Sequence, residues 1–335
     1  MIKRLLTAAI LATALGGSLP MPQAQAAEYT LRLNHTLPAA HLREKDAELF
    51  RDMVAKATGG RVEVQIFPAG QLYKSDQDAI KAVRSGAIEG AMVTTGDLAQ
   101  FAPAFNLYET PFLITSYAQL NAVLDSPISA EVLAKLEPLG IKGLVHTNAG
   151  SAIIATHSHP VARPEDLKGV RLRAAAGKIQ IRALELLGAS AIQLPVADIA
   201  PALERGTVEG LLSTPSAFAD MQIGSIARYA TWTSQQFFPP VIIVNAAWWN
   251  HLPDDLRTAI TGILKDYEKQ TREMNLQEED KAIASLKAQG VTVSRLDPAG
   301  LAAFQAALAP MLAEARAQIG PDLYDRALKV IQSAK

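Results

Sequence analysis

The sequence predicts an α/β protein of two lobes joined by hinge strands and a long helix that spans both. Three observations carry this reading. Strand-like and helix-like stretches alternate in two separate series, a late apolar run returns toward the first series, and beyond Pro253 no proline appears up to Gln289. A chain of 335 residues also exceeds the size, about 250–300 residues, at which a single core stops growing.

Taken in order, Tyr29 to Leu33 reads as a strand, and His41 to Ala57 has helical spacing with Leu42, Ala47, Phe50, Met53 and Val54 on one stripe. Gly59-Gly60 stops that helix, and Val62 to Phe67 alternates with period two. Ser75 is placed to cap a helix over Ser75 to Val83 that ends before Gly86, and Ile88 to Val93 is the third strand. A second series begins near Ile141 to His146. It runs through a strand at 170–173, a helix near Gln180 to Leu187, a strand at Ala191 to Leu194, a helix from Val196 to Arg205 and a strand at Val208 to Leu211. The apolar run Val241 to Asn245 is a buried strand expected to rejoin the first sheet. Gly262 is the only glycine between Pro253 and Gln289, so one helix there would extend about 55 Å, enough to run along both lobes; two helices broken at Gly262 are the alternative. Leu301 to Ile319 and Asp322 to Ile331 read as amphipathic scaffold helices. The lobe assignment is 27–150 with 239–278 for the first lobe, and 151–238 with 279–335 for the second.

Residues 1–26 have the layout of a secretory signal: Lys3 and Arg4, an apolar run from Leu5 to Leu15, and the small-x-small site Ala24-Gln25-Ala26. Cleavage there leaves an exported, soluble chain, because no later stretch offers about 20 successive apolar residues. Without Lys3 and Arg4, 30 of the 32 cations face 33 anions, and no polybasic block argues for nucleic acid or anionic membrane as partner. Zero cysteines exclude disulfides and thiolate metal sites. No G-x-S-x-G, P-loop or G-x-G-x-x-G pattern occurs, so neither a serine hydrolase nor a phosphate cradle is indicated, and no cofactor is expected. His157 and His159 share a strand face and could begin a metal site, but a third ligand is lacking and no metal is assigned.

The stretch Arg163 to Gly177, RPEDLKGVRLRAAAG, carries the chemistry. A turn over Pro164 to Gly169 feeds a short strand in which Val170 and Leu172 face one side and Arg171 and Arg173 the other. Arg173 lies toward the carboxyl end of the strand, where open α/β sheets receive ligands, and a guanidinium can grip a carboxylate with two parallel hydrogen bonds. Arg171 reads as its surface neighbour.

Pro164 to Arg173 is similar to the P-x-D-L-K-G-x-K-I-R signature of DctP-type solute-binding proteins of tripartite ATP-independent periplasmic (TRAP) transporters. The resemblance extends through Gly70-Gln71-Leu72, Val83-Arg84-Ser85-Gly86, Glu109-Thr110-Pro111-Phe112-Leu113, Leu203 to Gly210, and Val244-Asn245 with Trp248 and Leu252-Pro253. It implies a two-lobe periplasmic binding protein fold, a non-enzymatic monomer in the periplasm, an organic acid closed between the lobes on Arg173, and delivery to a membrane permease without ATP. A periplasmic sensor presenting the same acid to a membrane receptor is the alternative.

Departures from the pattern bear on the ligand. Ile153 stands where many relatives have a second arginine, Ser213 where asparagine is common, Thr94 where sugar-acid binders have an acidic group, and Tyr73 where glycine is usual. Phe237 and Phe238 precede the hinge-like Pro239-Pro240, where relatives offer polar groups. With Thr36, these residues and Arg173 form the expected ligand-binding set. They point to a monocarboxylate with an apolar or aromatic body, such as an aryl or 2-oxo acid.

Overall fold

A computed structural model of the chain describes residues 27–147, 150–175 and 177–334. The secretory-signal reading of residues 1–26 lies outside the described residues. Alternating apolar positions in β1 (Tyr29–Asn34) and β2 (Val62–Phe67) point inward, and these two pair in parallel. The helix Leu42–Thr58 connects them, capped by the His41 side chain and ended by Gly59 in the left-handed conformation. A second helix, Asp76–Ser85, starts on the Ser75 cap and leads to β3 (Gly90–Val93). With β4 (Ile141–His146) and β10 (Val241–Asn245), the first sheet has the order β2-β1-β3-β10-β4, β10 running antiparallel to both neighbours.

The second sheet comprises β5 (Ser151–Thr156), β6 (Arg171–Ala174), β7 (Ser190–Gln193), β8 (Gly210–Ser213), β9 (Tyr229–Phe237) and β11 (Thr292–Arg295), in the order β11-β9-β5-β8-β6-β7. The late run does rejoin the first sheet, as expected. Ile141–His146, placed by sequence at the head of the second series, is instead an edge strand of the first sheet beside β10.

Two chain crossings, β4 to β5 and β9 to β10, join the sheets. A further link is one unbroken helix, Asp254–Ala288, 35 residues long. Its first half packs Leu256, Ile260 and Tyr267 on the first lobe, with Tyr267 edge-on to Phe50 at 5.5 Å, while Ala282 and Leu286 join the second-lobe core. Between them Glu279 accepts from Tyr117 Oη of the first lobe at 2.7 Å and from Trp232 Nε1 of β9 at 3.1 Å. The hinge carries local strain: Phe112 and Ser234 both have positive φ, 58° and 46°.

Two sequence expectations differ. Leu301 to Ile319 is not one helix: Pro298–Leu308 ends before Pro310, whose ring starts a separate helix Pro310–Ile319. That helix and the last one, Pro321–Ser333, were assigned with 279–335 to the second lobe, yet Ala315, Ile319, Leu323, Tyr324 and Ala327 pack with Leu120 and Val123 in the first-lobe core. The apolar stripe of the last helix packs on Tyr117–Asp125, whose Leu120, Val123 and Leu124 are buried in the same core.

Gly262 sits inside the long helix with open space where a Cβ would stand. Gly262→Ala is therefore expected to stabilise the protein by about 0.5–1 kcal/mol, the helix-interior difference between the two residues. Chemical denaturation checks this; a loss of stability would favour a break at that position.

Candidate functional site

The carboxyl ends of strands from both sheets converge on one cavity of about 200 Å³. Thr36 follows β1, Thr94 and Asp97 follow β3, Arg173 is in β6, Leu194 follows β7 and Ser213 ends β8. Ligand crevices of open α/β sheets form at such ends. The volume is below the roughly 300–1,000 Å³ of pockets for drug-sized ligands, which suits a small molecule.

Arg173 is built into place by the turn before it. Asp166 accepts from the backbone N–H groups of Ala162 and Arg163 at 2.7 and 2.9 Å, pinning Pro164–Leu167, and Gly169 N–H bonds the Gly188 carbonyl at 2.8 Å. The strand then sends its two arginines to different environments. Arg171 stays exposed and ties down the next turn through the carbonyls of Gly206 and Thr207 and the Glu209 carboxylate. Arg173 is only 6% exposed. Its Nε donates to the Leu194 carbonyl at 3.0 Å, and among the described residues Nη1 and Nη2 have no protein acceptor. Burial pulls its pKa down to about 10, against the opposing pull of Asp97 and Asp76.

The facing wall comes from the first lobe. Asp76 accepts from Thr36 Oγ1 at 2.8 Å and from Thr94 N–H at 2.9 Å. Asp97 accepts from Thr94 Oγ1 at 2.7 Å, and the same threonine caps the short helix Thr95–Leu98. Burial, reinforced by Asp76, pushes the Asp97 carboxyl up to about 7. Arg43 is also buried in this wall, 3.9 Å from Asp76, with burial lowering its pKa and Asp76, Asp46 and Asp97 opposing.

A third polar group ties the cavity to the hinge. Gln180 lines the cavity, accepts from Ala175 N–H just after the Arg173 strand at 3.2 Å, and donates to Glu109 of the first lobe at 3.2 Å. Glu109 also accepts from Thr95 Oγ1 at 2.6 Å and from Gln236 of β9 at 3.3 Å. Alongside, the two lobes touch backbone to backbone: a Cβ on Gly177, whose φ is +98°, would lie 3.1 Å from the Gly96 carbonyl oxygen.

Of the sequence-predicted residues, Thr36, Thr94, Arg173, Ser213 and Phe238 line the cavity together. Three do not. Ile153 is fully buried under the second sheet with Leu203 and Trp232, because it is an interior position of the central strand β5. Phe237, the last residue of β9, packs in the first-lobe core edge-on against Tyr117 at 4.9 Å, while Phe238 just beyond the strand lies against the second-lobe core. Tyr73 packs on the first-lobe core, and its backbone brackets the Asn34 side chain. The histidine pair is occupied otherwise: His157 Nδ1 meets the Ile226 carbonyl, and both ring nitrogens of His159 have partners.

Asp76, Asp97, Arg43, Gln180 and Met221 belong to the cavity and were not anticipated. The spacing Thr94-x-x-Asp97 directly after an apolar strand was the available signal, since it marks a capped helix at a strand's carboxyl end. A wider groove of about 890 Å³ lies on the outer first lobe beside Trp249, but its charges, Lys142 with Glu137 and Arg257 with Asp254, already neutralise each other.

The two lobes hold a buried, incompletely bonded cation between them, and no helix among the described residues is long and apolar enough to cross a membrane. The chain belongs to the DctP family, bacterial extracellular solute-binding protein family 7, whose model matches residues 33–318. It is 27% identical over 325 residues to the C4-dicarboxylate-binding periplasmic protein DctP of Rhodobacter capsulatus, covering 96% of each chain. The fold is similar to that of a TRAP periplasmic solute-binding protein from Ralstonia eutropha H16 with bound (S)-2-acetolactate, at 26% identity and TM-score 0.85, covering 90% of this chain and 98% of that one. It is also similar to the sugar-acid-binding protein of Advenella mimigardefordensis in complex with galactonate, at 25% identity and TM-score 0.87, covering 93% and 100%. By membership the chain is a TRAP-type substrate-binding receptor of a family whose members are periplasmic.

Glu109 gives the site a pH signature. Burial raises its carboxyl to about 7 from an ordinary 4.5, against the hydrogen bonds of Thr95, Gln180 and Gln236. The folded state therefore holds a proton that the unfolded chain has released between these values, so this group's contribution is fully present below about pH 4.5 and is lost as pH rises through about 7. The expected loss is on the order of 3 kcal/mol. Denaturant titrations from pH 4 to 8 should show a shallower fall in stability for Glu109→Gln than for the parent; parallel curves would refute it.

Proposed function

We propose that the protein is an exported periplasmic receptor that binds a small monocarboxylate with an apolar body and hands it to a TRAP-type permease. The observation that carries this is the Arg173 guanidinium, 6% exposed, with two terminal nitrogens available in a cavity whose second-lobe side also presents Leu194, Pro195, Val196, Ile199, Leu212, Met221 and Phe238. A buried cation of this kind is best satisfied by a carboxylate accepting two parallel hydrogen bonds. Thr36, Thr94 and Ser213 border the bound acid, and Phe238 covers its apolar part. The leader at residues 1–26, cleaved after Ala26, supports export.

Arg173 is the cation on the second-lobe side of the cavity. Arg43 and Lys74 border it on the first-lobe side, where Asp76, Asp46 and Asp97 around Arg43 compete with a second ligand carboxylate for that guanidinium. This distinguishes the chain's cleft from one built for a C4-dicarboxylate, the ligand in the name of the Rhodobacter relative. Acetolactate, held by the Ralstonia protein, is a monocarboxylate with methyl groups and fits the same description.

Desolvation inside the closed cleft strengthens the Arg173 contact and couples binding to closure, the form a permease would recognise. Arg173→Ala is expected to weaken acid binding by about tenfold to more than a hundredfold, the loss of a buried charge-assisted pair. Arg171→Ala should alter it less than about threefold, since its partners, the Gly206 and Thr207 carbonyls and the Glu209 carboxylate, do not line the cavity. Calorimetric titration of both variants with aliphatic, aromatic and dicarboxylic acids tests the reading. Tight binding of dicarboxylates alone, or affinity that survives Arg173→Ala, would overturn it.

A further inference from the structure

Arg43 stands where its own helix gains nothing from it. It is the second residue of Leu42–Thr58, after the His41 cap, so its charge sits at the positive end of the helix dipole, where a carboxylate such as Glu44 is favoured and a cation is not. The residue is nonetheless only 6% exposed, and it borders the cavity from the first lobe as Arg173 does from the second. Its backbone N–H donates to His41 Nδ1 at 2.9 Å, but among the described residues no protein group accepts a hydrogen bond from its guanidinium. Nε is enclosed without a partner, and the closest carboxylate oxygen, Asp76 Oδ2, lies 3.9 Å from Nη1, beyond hydrogen-bond reach. Asp76 is already engaged, its two oxygens accepting from Thr36 Oγ1 at 2.8 Å and Thr94 N–H at 2.9 Å. Asp76, Asp46 and Asp97 thus support the charge on Arg43 against burial while leaving its donors unmatched.

A buried guanidinium in that condition is costly, and the cavity it borders is where an acceptor can reach its terminal nitrogens. The other donors on this wall differ: Lys74 is exposed to water, and Gln77 bonds Asp97. We propose that Arg43 is a second ligand-binding residue, donating to an uncharged oxygen, a carbonyl or hydroxyl on the body of the acid whose carboxylate Arg173 holds. The inference rests on the reading of Arg173 as the carboxylate clamp and narrows the solute to an oxo or hydroxy monocarboxylate. The group is an acceptor because a guanidinium has only donors to offer. It is uncharged because a second carboxylate at Arg43 lies among Asp76, Asp46 and Asp97, whereas a neutral oxygen takes the hydrogen bond without that repulsion. Bonded at both ends, the solute spans the lobes, so the second contact is the one that draws the first lobe onto an acid already held by the second.

The test uses the full mature chain and acids that share a carbon skeleton, so that apolar contacts stay constant. In each of two skeletons, pentanoate and 4-phenylbutanoate, the unsubstituted, 2-oxo, 2-hydroxy and 4-oxo acids are titrated by calorimetry, with pentanedioate as the dicarboxylate. At least one oxygenated acid should bind about tenfold or more tighter than its unsubstituted parent, and positions 2 and 4 report how far Arg43 reaches. In Arg43→Met that preference should fall below about threefold. The ratio isolates the contact, because loss of the Arg43 charge weakens both monoanions alike whereas only the oxygenated one loses a hydrogen bond. Unsubstituted acids that bind the unmutated protein as tightly as every oxygenated one, a preference unchanged in Arg43→Met, or pentanedioate binding tighter than all the monocarboxylates would overturn the inference; the first two leave the Arg173 clamp standing. Failure of every acid to bind would overturn the clamp reading and this inference with it. Should Arg43→Met not fold, Arg43→Gln, shorter and uncharged, is held to the same threshold.

Discussion

Burying one guanidinium governs this structure. A cation removed from water costs several kcal/mol unless neighbours compensate, and among the described residues Arg173 has a single protein hydrogen bond, to the Leu194 carbonyl. The compensation comes from the other lobe, where Asp97 and Asp76 raise the pKa that burial lowers. The charge of the second lobe is thus balanced by carboxylates of the first. For that field to act, the carboxyl ends of both sheets must point at one another and the lobes must approach closely. The backbone contact between Gly177 and Gly96 permits this approach, since a side chain at Gly177 would press on the Gly96 carbonyl.

The same requirement explains the polar groups around the hinge. Glu109 gathers donors from the first lobe, the second lobe and the hinge strand through Thr95, Gln180 and Gln236. Glu279 does so on the long-helix side through Tyr117 and Trp232. Because Gln180 also holds Ala175, a shift in the loop that follows Arg173 reaches Glu109 through one side chain. Occupancy of the cavity and geometry of the hinge are then linked by contacts a few ångströms long rather than by distant transmission.

Much of the fold was legible because it rests on local pattern. Period-two strands, the Ser75 cap and the glycine stops at Gly59 and Gly86 each lie within a few residues of the element they define. Pro310 is as local a signal, and its ring divides Leu301–Ile319 between two helices. The docking of the last helices on the first lobe was not legible, since an apolar stripe records that a face is covered and not by which partner. Arg173 was visible at a strand's carboxyl end within a signature turn. Ile153 and Phe237 were misplaced because a match in alignment does not say which face of a strand a side chain takes. Asp76 and Asp97 escaped because an acidic residue at a helix start ordinarily serves the helix, and only the assembled structure turns them toward a cation on another sheet.

The long helix has a mechanical meaning beyond joining the lobes. It is anchored at Tyr267 in one and at Leu286 in the other, about 28 Å apart along the axis. Neither lobe can rotate without bending this rod or dragging an anchor through packed side chains. A relative movement of the lobes that bends this helix strains its ladder of backbone hydrogen bonds, so the rod ties the orientation of one lobe to that of the other.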